Sequence, residues 1–141
     1  MKPLISNKSL KVSSIGLGTY KGSLDSSDDI LQFNAIIDSV LSGVNVLDTC
    51  SNFRGGRSEK VVGAALRYLI NEKKYARNQF LIQSKAGFVR EGLPKNLASE
   101  IINDHCVHPA YLEQSLSRSL DNLGIKKLDV FYLNNFAESQ L

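Results

Sequence analysis

Two side chains able to take part in proton chemistry come at the ends of apolar runs in the sequence. Asp48 ends the run from 44 to 48, and Lys85 ends the run from 80 to 85. Short apolar runs of this kind predict strands of a sheet. Because chemistry in α/β proteins collects where the carboxyl ends of parallel strands meet, we expect Asp48 and Lys85 at one rim.

Two further runs bring two more polar side chains to this rim. The run from 14 to 20 ends at Tyr20, and the run from 128 to 133 is followed by Asn134. Both runs are short, apolar and bounded by polar or glycine-rich segments, which is typical of strands. Four predicted strands therefore end at one candidate functional rim.

Three helices are predicted between the strands, each from apolar residues that recur at helical spacing. The first begins near Asp28 and Asp29, acids that suit a helix N-terminus, and ends at Gly43. Its apolar stripe consists of Ile30, Leu31, Phe33, Ile36, Ile37, Val40 and Leu41.

The second predicted helix has Ser58 as its N-cap, and the third begins at Pro109 and ends at Gly124. The stretch from 86 to 108 is irregular, apart from a helical turn around 97–102. The two apolar stripes are Val61, Val62, Ala65, Leu66, Leu69 and Ile70, and then Leu112, Leu116, Leu120 and Leu123.

The resulting order of strands and helices predicts an α/β fold, a parallel sheet with helices on its outer face and right-handed crossovers. The chain has 141 residues, 43% hydrophobic and 22% charged, which fits a single domain over residues 1–141. No apolar run is long enough for a membrane span, and the N-terminus lacks the apolar segment of a secretory signal. A net charge of +3 is too small and dispersed to indicate a nucleic-acid-binding protein.

Cysteines and histidines are few, and their spacing does not indicate a metal site. Cys50 and Cys106 lie far apart, which predicts free thiols in a reducing compartment. Cys50, beside the rim, is either reactive or inert, and we favour an inert thiol. His105 and His108 flank a cysteine, yet the pair His108-Pro109 is better explained as a helix entry.

Two basic segments each have a functional and a structural interpretation. The loop 54–57, Arg-Gly-Gly-Arg, is either an anion-binding loop or a solvated loop before a helix, and we favour the second. The cluster of Lys73, Lys74 and Arg77 is expected to be a solvated helix end, where cations suit the helix dipole.

Eight short motifs follow one another along the chain: Gly16-Leu-Gly-Thr, Gly43-Val-Asn-Val-Leu-Asp48-Thr49, Ser51-Asn-Phe-Arg-Gly-Gly-Arg-Ser-Glu59, Val62-Gly-Ala-Ala-Leu66, Ser84-Lys85-Ala-Gly87, His108-Pro-Ala-Tyr-Leu112, Ser119-Leu-Asp-Asn-Leu-Gly124 and Leu128-Asp-Val-Phe-Tyr-Leu133. Together they resemble the aldo-keto reductases, NAD(P)H-dependent carbonyl reductases on an eight-stranded α/β barrel. The resemblance extends from about Leu10 to the end and implies the first four βα units of such a barrel.

The reaction of this family uses an Asp, a Lys, a Tyr and a His, and the resemblance assigns each to a position. The Asp and Lys positions are Asp48 and Lys85, so both are retained. The Tyr position is Phe53 and the His position is Asn134, so both of these are substituted. In the family the Tyr gives a proton to the carbonyl oxygen, Lys and Asp tune that Tyr, and the His orients the carbonyl.

The resemblance also implies NADP(H) as the cofactor, with contacts at Gly18, Thr19, Tyr20 and Asp48. The half of the barrel that supplies most cofactor contacts in the family lies outside this sequence, so we expect an incomplete site in this chain alone. Tyr20 is expected to line the pocket, with a role as a substitute acid as the alternative.

The substitution at Phe53 bears directly on activity, because phenylalanine has no proton to give. A positioned general acid is worth about 10²–10⁴ in rate, or about 3–5 kcal/mol. The resemblance therefore predicts a catalytically impaired protein that acts as a structural or interaction subunit. The alternative is an NAD(P)H-dependent oxidoreductase, truncated or completed by a partner, that reduces aldehydes or ketones. A third hypothesis is a subunit that senses nicotinamide without turnover.

The length predicts a half-barrel, because a full barrel of this type needs about 250 residues, or 200 at the low end. Its outer strands would be open edges, and its inward face, with Leu17, Val46, Ile82 and Phe131 or their neighbours, would lack a partner. We expect a second copy or another protein to cover them; the alternative is a truncated form of a normal-length protein. The expected compartment is cytoplasmic, with a mitochondrial assembly as the alternative.

Overall fold

The structure is a computed structural model that describes residues 11–89 and 95–134. Four strands and three α-helices alternate in the predicted order. They are β1 (Gly16–Gly18), α1 (Ser26–Leu41), β2 (Val46–Asp48), α2 (Arg57–Asn71), β3 (Leu81–Ala86), α3 (Pro109–Leu123) and β4 (Val130–Leu133). Short 3₁₀ helices lie at Phe53–Gly56, Arg77–Gln79 and Lys95–Glu100.

The four strands form one parallel sheet, and their order in space, β1-β2-β3-β4, is their order in the chain. Leu17, Leu47 and Ile82 lie side by side across the first three strands. Successive parallel neighbours joined by right-handed crossovers place all their helices on one face. The predicted α/β fold, a parallel partial barrel, is confirmed.

The hydrophobic core lies between this sheet and the helices. Leu47 and Ile82 are fully buried there among side chains of all three helices. Leu17 packs against the same core, and Phe131 is in register with a buried residue of β3. Of the residues named for the inward face, Leu17, Ile82 and Phe131 lie on the helix-covered face instead, so their neighbours along the strands face inward. Val46, next to Leu47 in the strand, points to the opposite face, as predicted.

Helix α1 buries less of its apolar stripe than predicted. Ile36, Ile37 and Val40 are buried, whereas the residues at 30, 31 and 41 are more than half exposed. The helix packs on α2 and on the sheet, and β1 is an edge strand among the described residues. Helical spacing predicts which side is apolar, but a second neighbour is needed to cover its outer part.

Helix α3 turns a different side to the core than its leucines predict. Its closest approach is to α2, where a Cβ on Gly63 would lie 2.6 Å from the Leu123 carbonyl oxygen. This contact of backbone with backbone fixes the buried row four residues apart. That row is Tyr111, Ser115, Ser119 and Leu123, and the half-buried leucines are Leu112, Leu116 and Leu120.

The start of α2 also differs from the prediction. The helix begins at Arg57, after Gly56 in the left-handed conformation with φ of 85°, so Ser58 is not the N-cap. The Ser58 hydroxyl instead donates to the Thr19 carbonyl oxygen at 2.8 Å. This bond ties α2 to the end of β1 and so fixes one side of the rim.

Among residues 11–89 and 95–134, none of the helices has both the length and the apolar character that crossing a membrane requires.

Candidate active site

An ion pair between Lys85 and Asp48 lies at the centre of the rim. The Lys85 Nζ donates to the Asp48 Oδ1 at 2.5 Å and to the Thr49 carbonyl oxygen at 3.0 Å. Asp48 is in register with Gln83, two residues before Lys85, so both charged side chains extend from the face opposite the helices. The Lys85 side chain is 18% exposed and the Asp48 side chain 27%, which leaves the ammonium accessible from one side.

A phenyl ring covers part of the ammonium. The Lys85 Nζ lies 5.1 Å from the centroid of the Phe53 ring, a cation–π contact. Phe53 begins the short 3₁₀ helix after β2, and its N–H donates to the Cys50 carbonyl oxygen at 3.1 Å. At this position the chain therefore presents a ring face to the lysine, with no hydroxyl to donate a proton.

Tyr20 supplies a second aromatic ring at the rim. Its ring meets that of Phe53 edge to face, with centroids 5.2 Å apart, and its side chain is largely exposed. Tyr20 follows β1 and Phe53 follows β2, so the ends of these two strands come together here, as the sequence predicts. Tyr20 therefore brings a phenol hydroxyl to the cavity that Lys85 also lines.

Asn134, at the end of β4, is held mainly by protein contacts. Its backbone N–H donates to the Ala86 carbonyl oxygen at 2.7 Å, and its side-chain Nδ2 lies 3.5 Å from the Cys50 Sγ. The Nε2 of His105 lies 2.9 Å from the Asn134 carbonyl oxygen. The Asn134 side-chain amide is thus directed towards a buried thiol.

These side chains surround a cavity of about 750 Å³ that opens at the carboxyl ends of the strands. Both apolar and polar side chains line it. Its lining consists of Tyr20, Lys21, Gly22, Ser23, Leu24, Asn52, Phe53, Arg54, Lys85, Phe88 and Asn134. Leu24, Asn52 and Phe88 were not predicted as site residues, because they lie in loops without periodicity. The short distance between Phe88 and Lys85 along the chain was the available signal.

Arg54 forms a buried clamp under one wall of this cavity. Its guanidinium donates to the Ser23 carbonyl oxygen at 2.6 Å, the Gln32 Oε1 at 3.1 Å and the Asp29 Oδ1 at 2.7 Å. Arg57 donates to both oxygens of the same Asp29 carboxylate. The loop 54–57 is therefore neither a free anion-binding site nor a merely solvated segment, because both of its arginines form ion pairs with Asp29.

The carboxylate of this clamp is electrostatically stabilised in its ionised form. Hydrogen bonds from Arg57 and then Arg54 hold the pKa of Asp29 below its ordinary value, against an opposing effect of desolvation. The clamp therefore keeps its charge at neutral pH and fixes the β1–α1 loop against the 3₁₀ helix that carries Phe53.

Cys50 lies directly behind the rim as a buried thiol. It is 1% exposed, and its Sγ donates to the Lys85 carbonyl oxygen at 3.4 Å. Burial raises the pKa of this thiol, which lowers its thiolate fraction at neutral pH. The geometry therefore supports the inert thiol, and Cys106 is buried as well.

His105 and His108 are not brought together as metal ligands. The His108 Nδ1 accepts from the Ala110 N–H at the start of α3, and His105 contacts the Asn103 and Asn134 carbonyl oxygens. Within the described part of the chain, no three side chains of the ligand types His, Cys, Asp and Glu form a possible metal site.

Sequence reasoning also missed a buried carboxylate behind the sheet. Glu59 is fully buried, and its oxygens accept from the Ser84 hydroxyl at 2.8 Å and the Asn122 amide at 2.9 Å. Ser84 precedes Lys85 on β3, so this contact connects two helices with the strand that carries the lysine. The place of Glu59 in the first turn of α2 indicated a favourable dipole interaction but gave no sign of burial.

The residues predicted to contact a nicotinamide cofactor meet at the rim, but most of their polar groups are occupied. Thr19 is buried and its hydroxyl donates to the Asp48 carbonyl oxygen at 3.0 Å. The Asp48 carboxylate accepts from Lys85. Gly18 faces open space at its Cα, and Tyr20 is exposed.

Cations that could hold a dinucleotide phosphate are also scarce here. Of the described residues that line the cavity, Lys21, Arg54 and Lys85 are cationic. Arg54 and Lys85 are each neutralised by a carboxylate within 3 Å. The described residues therefore do not by themselves supply the free cations that the pyrophosphate of a dinucleotide requires.

Comparisons with known proteins find similar sequences and structures. The sequence profile of the aldo/keto reductase family matches residues 14–140. An NADH-specific methylglyoxal reductase from Escherichia coli (strain K12) is 30% identical, over 86% of this chain and 38% of the relative. The chain thus spans well under half the length of that curated relative.

Solved structures show the same fold at lower identity. An aldo-keto reductase from Klebsiella pneumoniae in complex with NADPH has a TM-score of 0.62 and 24% identity, over 86% of this chain and 35% of that chain. The aldose reductase of Schistosoma japonicum has a TM-score of 0.62 and 22% identity, over 94% of this chain and 36% of that chain.

Proposed function

Because the chain belongs to the aldo/keto reductase family, we propose that it is a catalytically impaired member that acts as a structural or interaction subunit. The observation that carries this proposal is the Phe53 ring 5.1 Å from the Lys85 Nζ. A general acid must carry a proton that it can transfer, and a phenylalanine side chain has none. The retained ion pair has a structural reason to persist, because removing one partner would leave a partly buried charge alone.

The test is a turnover measurement on the purified chain. We mix it with methylglyoxal and with NADH or NADPH in separate reactions, and follow the loss of reduced nicotinamide. Lys85→Met is the matched control, because it removes the cation of the retained pair. The proposal expects equal, background rates for both proteins, and steady turnover by the unsubstituted chain above this control would contradict it.

A second candidate function is a carbonyl reductase that a partner completes. The specific observation in its favour is the 2.5 Å contact between Lys85 and Asp48, a geometry suited to tuning a nearby phenol. This candidate expects a large gain in turnover for the double variant Phe53→Tyr, Asn134→His. A gain of about 10²-fold or more would favour it, since that is the typical effect of one general acid.

The cofactor of such a reductase is proposed to be NADP(H) or NAD(H). One neighbouring structure contains NADPH and the curated relative is specific for NADH. Since the described cavity does not fit a pyrophosphate, we propose that the chain alone binds either cofactor weakly. Fluorescence titration with NADPH measures this directly, and tight binding to the isolated chain would contradict it.

The chain is further proposed to form one incomplete domain over residues 1–141 that takes a protein partner, either a second copy or another chain. Parallel sheets are normally covered on both faces, whereas helices cover one face of this sheet. Tyr132 and Leu133 of β4 and Ile15 before β1 expose apolar surface at its two edges. Light scattering gives the particle mass, and a well-folded monomer of 15.6 kDa would contradict the proposal of a partner.

A further inference from the structure

A groove with an apolar floor and a charged end lies between α1 and α2. It has a volume of about 450 Å³, and apolar and charged side chains of both helices line it. Volumes of this size are typical of small-molecule sites. Among the described residues, those that line this groove are all different from those that line the cavity beside Lys85. The groove is therefore a second candidate site, separate from the rim.

The floor of the groove is apolar. Ile30 and Phe33 of α1 line one side, and Val61 and Ala64 of α2 line the other. Ile30 is 63% exposed, and the Phe33 ring is held by an edge contact with Tyr68, with ring centroids 5.8 Å apart. An apolar chain laid along this floor removes the Ile30 side chain and part of the Phe33 ring from water, which is favourable.

Two cations lie where the groove begins, in the first turn of α2. Arg57 donates to Asp29 through its Nε and Nη2 atoms, which leaves its Nη1 group for another acceptor. The ion pairs of the described residues do not include Lys60, whose side chain is exposed. The charged residues of the groove are these two cations and the Asp29 carboxylate, so their net charge is +1. This end of the groove therefore suits a singly charged anion, and the N-terminal end of the helix dipole favours the same sign.

We propose that the groove binds a medium-chain alkyl carboxylate, with its carboxylate at Arg57 and Lys60 and its chain over the apolar floor. The groove follows α2 from Arg57 to Ala64, about 10 Å at the helical rise of 1.5 Å per residue, so an extended chain of about eight carbons fits along it. A carboxylate also matches arginine geometry and the net charge of +1, whereas a phosphate dianion would exceed that charge. This ligand site goes beyond the proposed function, because it involves neither the rim nor a nicotinamide.

Calorimetric titration of the intact chain with octanoate tests the proposal. We expect saturable binding of one octanoate per chain with a Kd of about 1 mM or lower, as for other ligands of about ten heavy atoms. Octylammonium has the same chain with the opposite charge and should bind at least about 5-fold more weakly, because it meets cations at the head of the groove. Acetate has the carboxylate without the chain and should show no saturable binding in this range.

Two pairs of variants place the binding in the groove. Lys60→Glu should weaken octanoate binding at least about 5-fold, whereas Lys73→Glu, the same charge change just beyond the other end of α2, should leave the Kd unchanged. Ile30→Ser removes an apolar part of the floor and should also weaken binding about 5-fold. Leu41→Ser makes a comparable change at the far end of α1, where the side chain is 54% exposed, and should have no effect on the Kd. All four side chains are exposed, so circular dichroism should stay unchanged.

Three results would overturn the proposal. The first is no saturable octanoate binding up to about ten times the expected Kd, and the second is equal binding of octanoate and octylammonium. The third is an equal loss of affinity within either pair of variants, since it would show that octanoate responds to the net charge or to any exposed apolar residue. Failure here leaves the turnover test above unaffected, because that test measures nicotinamide oxidation.

Discussion

Replacing Arg54 with alanine is expected to destabilise the fold more than any loss of a surface arginine. The Arg54 side chain is 1% exposed and donates to three carbonyl or amide oxygens and to the Asp29 carboxylate. Its removal breaks four hydrogen bonds to partly exposed acceptors, and we expect a loss of about 2–4 kcal/mol in the free energy of unfolding, since each such bond contributes about 0.5–1.5 kcal/mol.

The structure supplies two matched comparisons for this variant. Arg57 donates to the same Asp29 but is 39% exposed, so Arg57→Ala should lose less than about 1 kcal/mol. Arg54 also has a left-handed backbone, with φ of 51°. Since a side chain in that conformation costs about 1–2 kcal/mol that glycine avoids, Arg54→Gly should be more stable than Arg54→Ala by about 1 kcal/mol.

Urea titrations followed by circular dichroism measure all three variants. If Arg54→Ala is too unstable to purify, Arg54→Lys keeps one charge and gives a measurable intermediate loss. A loss for Arg54→Ala no larger than that for Arg57→Ala would refute the reasoning, since it would show that the buried hydrogen bonds contribute nothing.

Three further outcomes are expected. The pKa of the Asp29 carboxyl is lowered in the fold, so its contribution to the free energy of unfolding is full above the ordinary pKa of 3.8 and is lost as the pH falls below that value. Urea midpoints of the unsubstituted chain and of Asp29→Asn, compared as the pH is lowered, measure this contribution. The pKa of the Cys50 thiol is raised by burial, so reaction with a disulfide reagent at neutral pH should be slow and should become fast in urea. Gly63→Ala places a Cβ 2.6 Å from the Leu123 carbonyl oxygen and should lose about 1–3 kcal/mol in urea unfolding, whereas an alanine at Gly18, which faces open space, should have little effect.

The order of the elements and the meeting of Asp48 with Lys85 could be predicted because both follow from local rules. Apolar runs identify the strands, and parallel order brings their carboxyl ends to one rim. The buried side of α3 could not be predicted, because its leucines are apolar but the contact with Gly63 of α2 decides which side faces inward. Periodicity records only which residues could be buried, and the neighbours decide which of them are.

The clamp at Arg54 was beyond sequence reasoning for a different reason. An arginine between Asn-Phe and Gly-Gly is typical of an exposed loop, and its burial depends on a left-handed backbone that turns the side chain under the β1–α1 loop. Three of its acceptors, Ser23, Asp25 and Gln32, are 22 to 31 residues away in sequence. No local pattern predicts contacts of that range.

The same topology that unites the rim also decides how its chemistry depends on a partner. Asp48 and Lys85 extend from the sheet face that the three helices leave uncovered, and their side chains remain 27% and 18% exposed. Ion pairs at such exposure are weakened by water and salt. A partner that covers this face would exclude water from the pair and strengthen the attraction between the two charges. If a partner binds there, the loss in the free energy of unfolding caused by Lys85→Met should therefore depend less on salt when the partner is present, and urea titrations at low and high salt measure this.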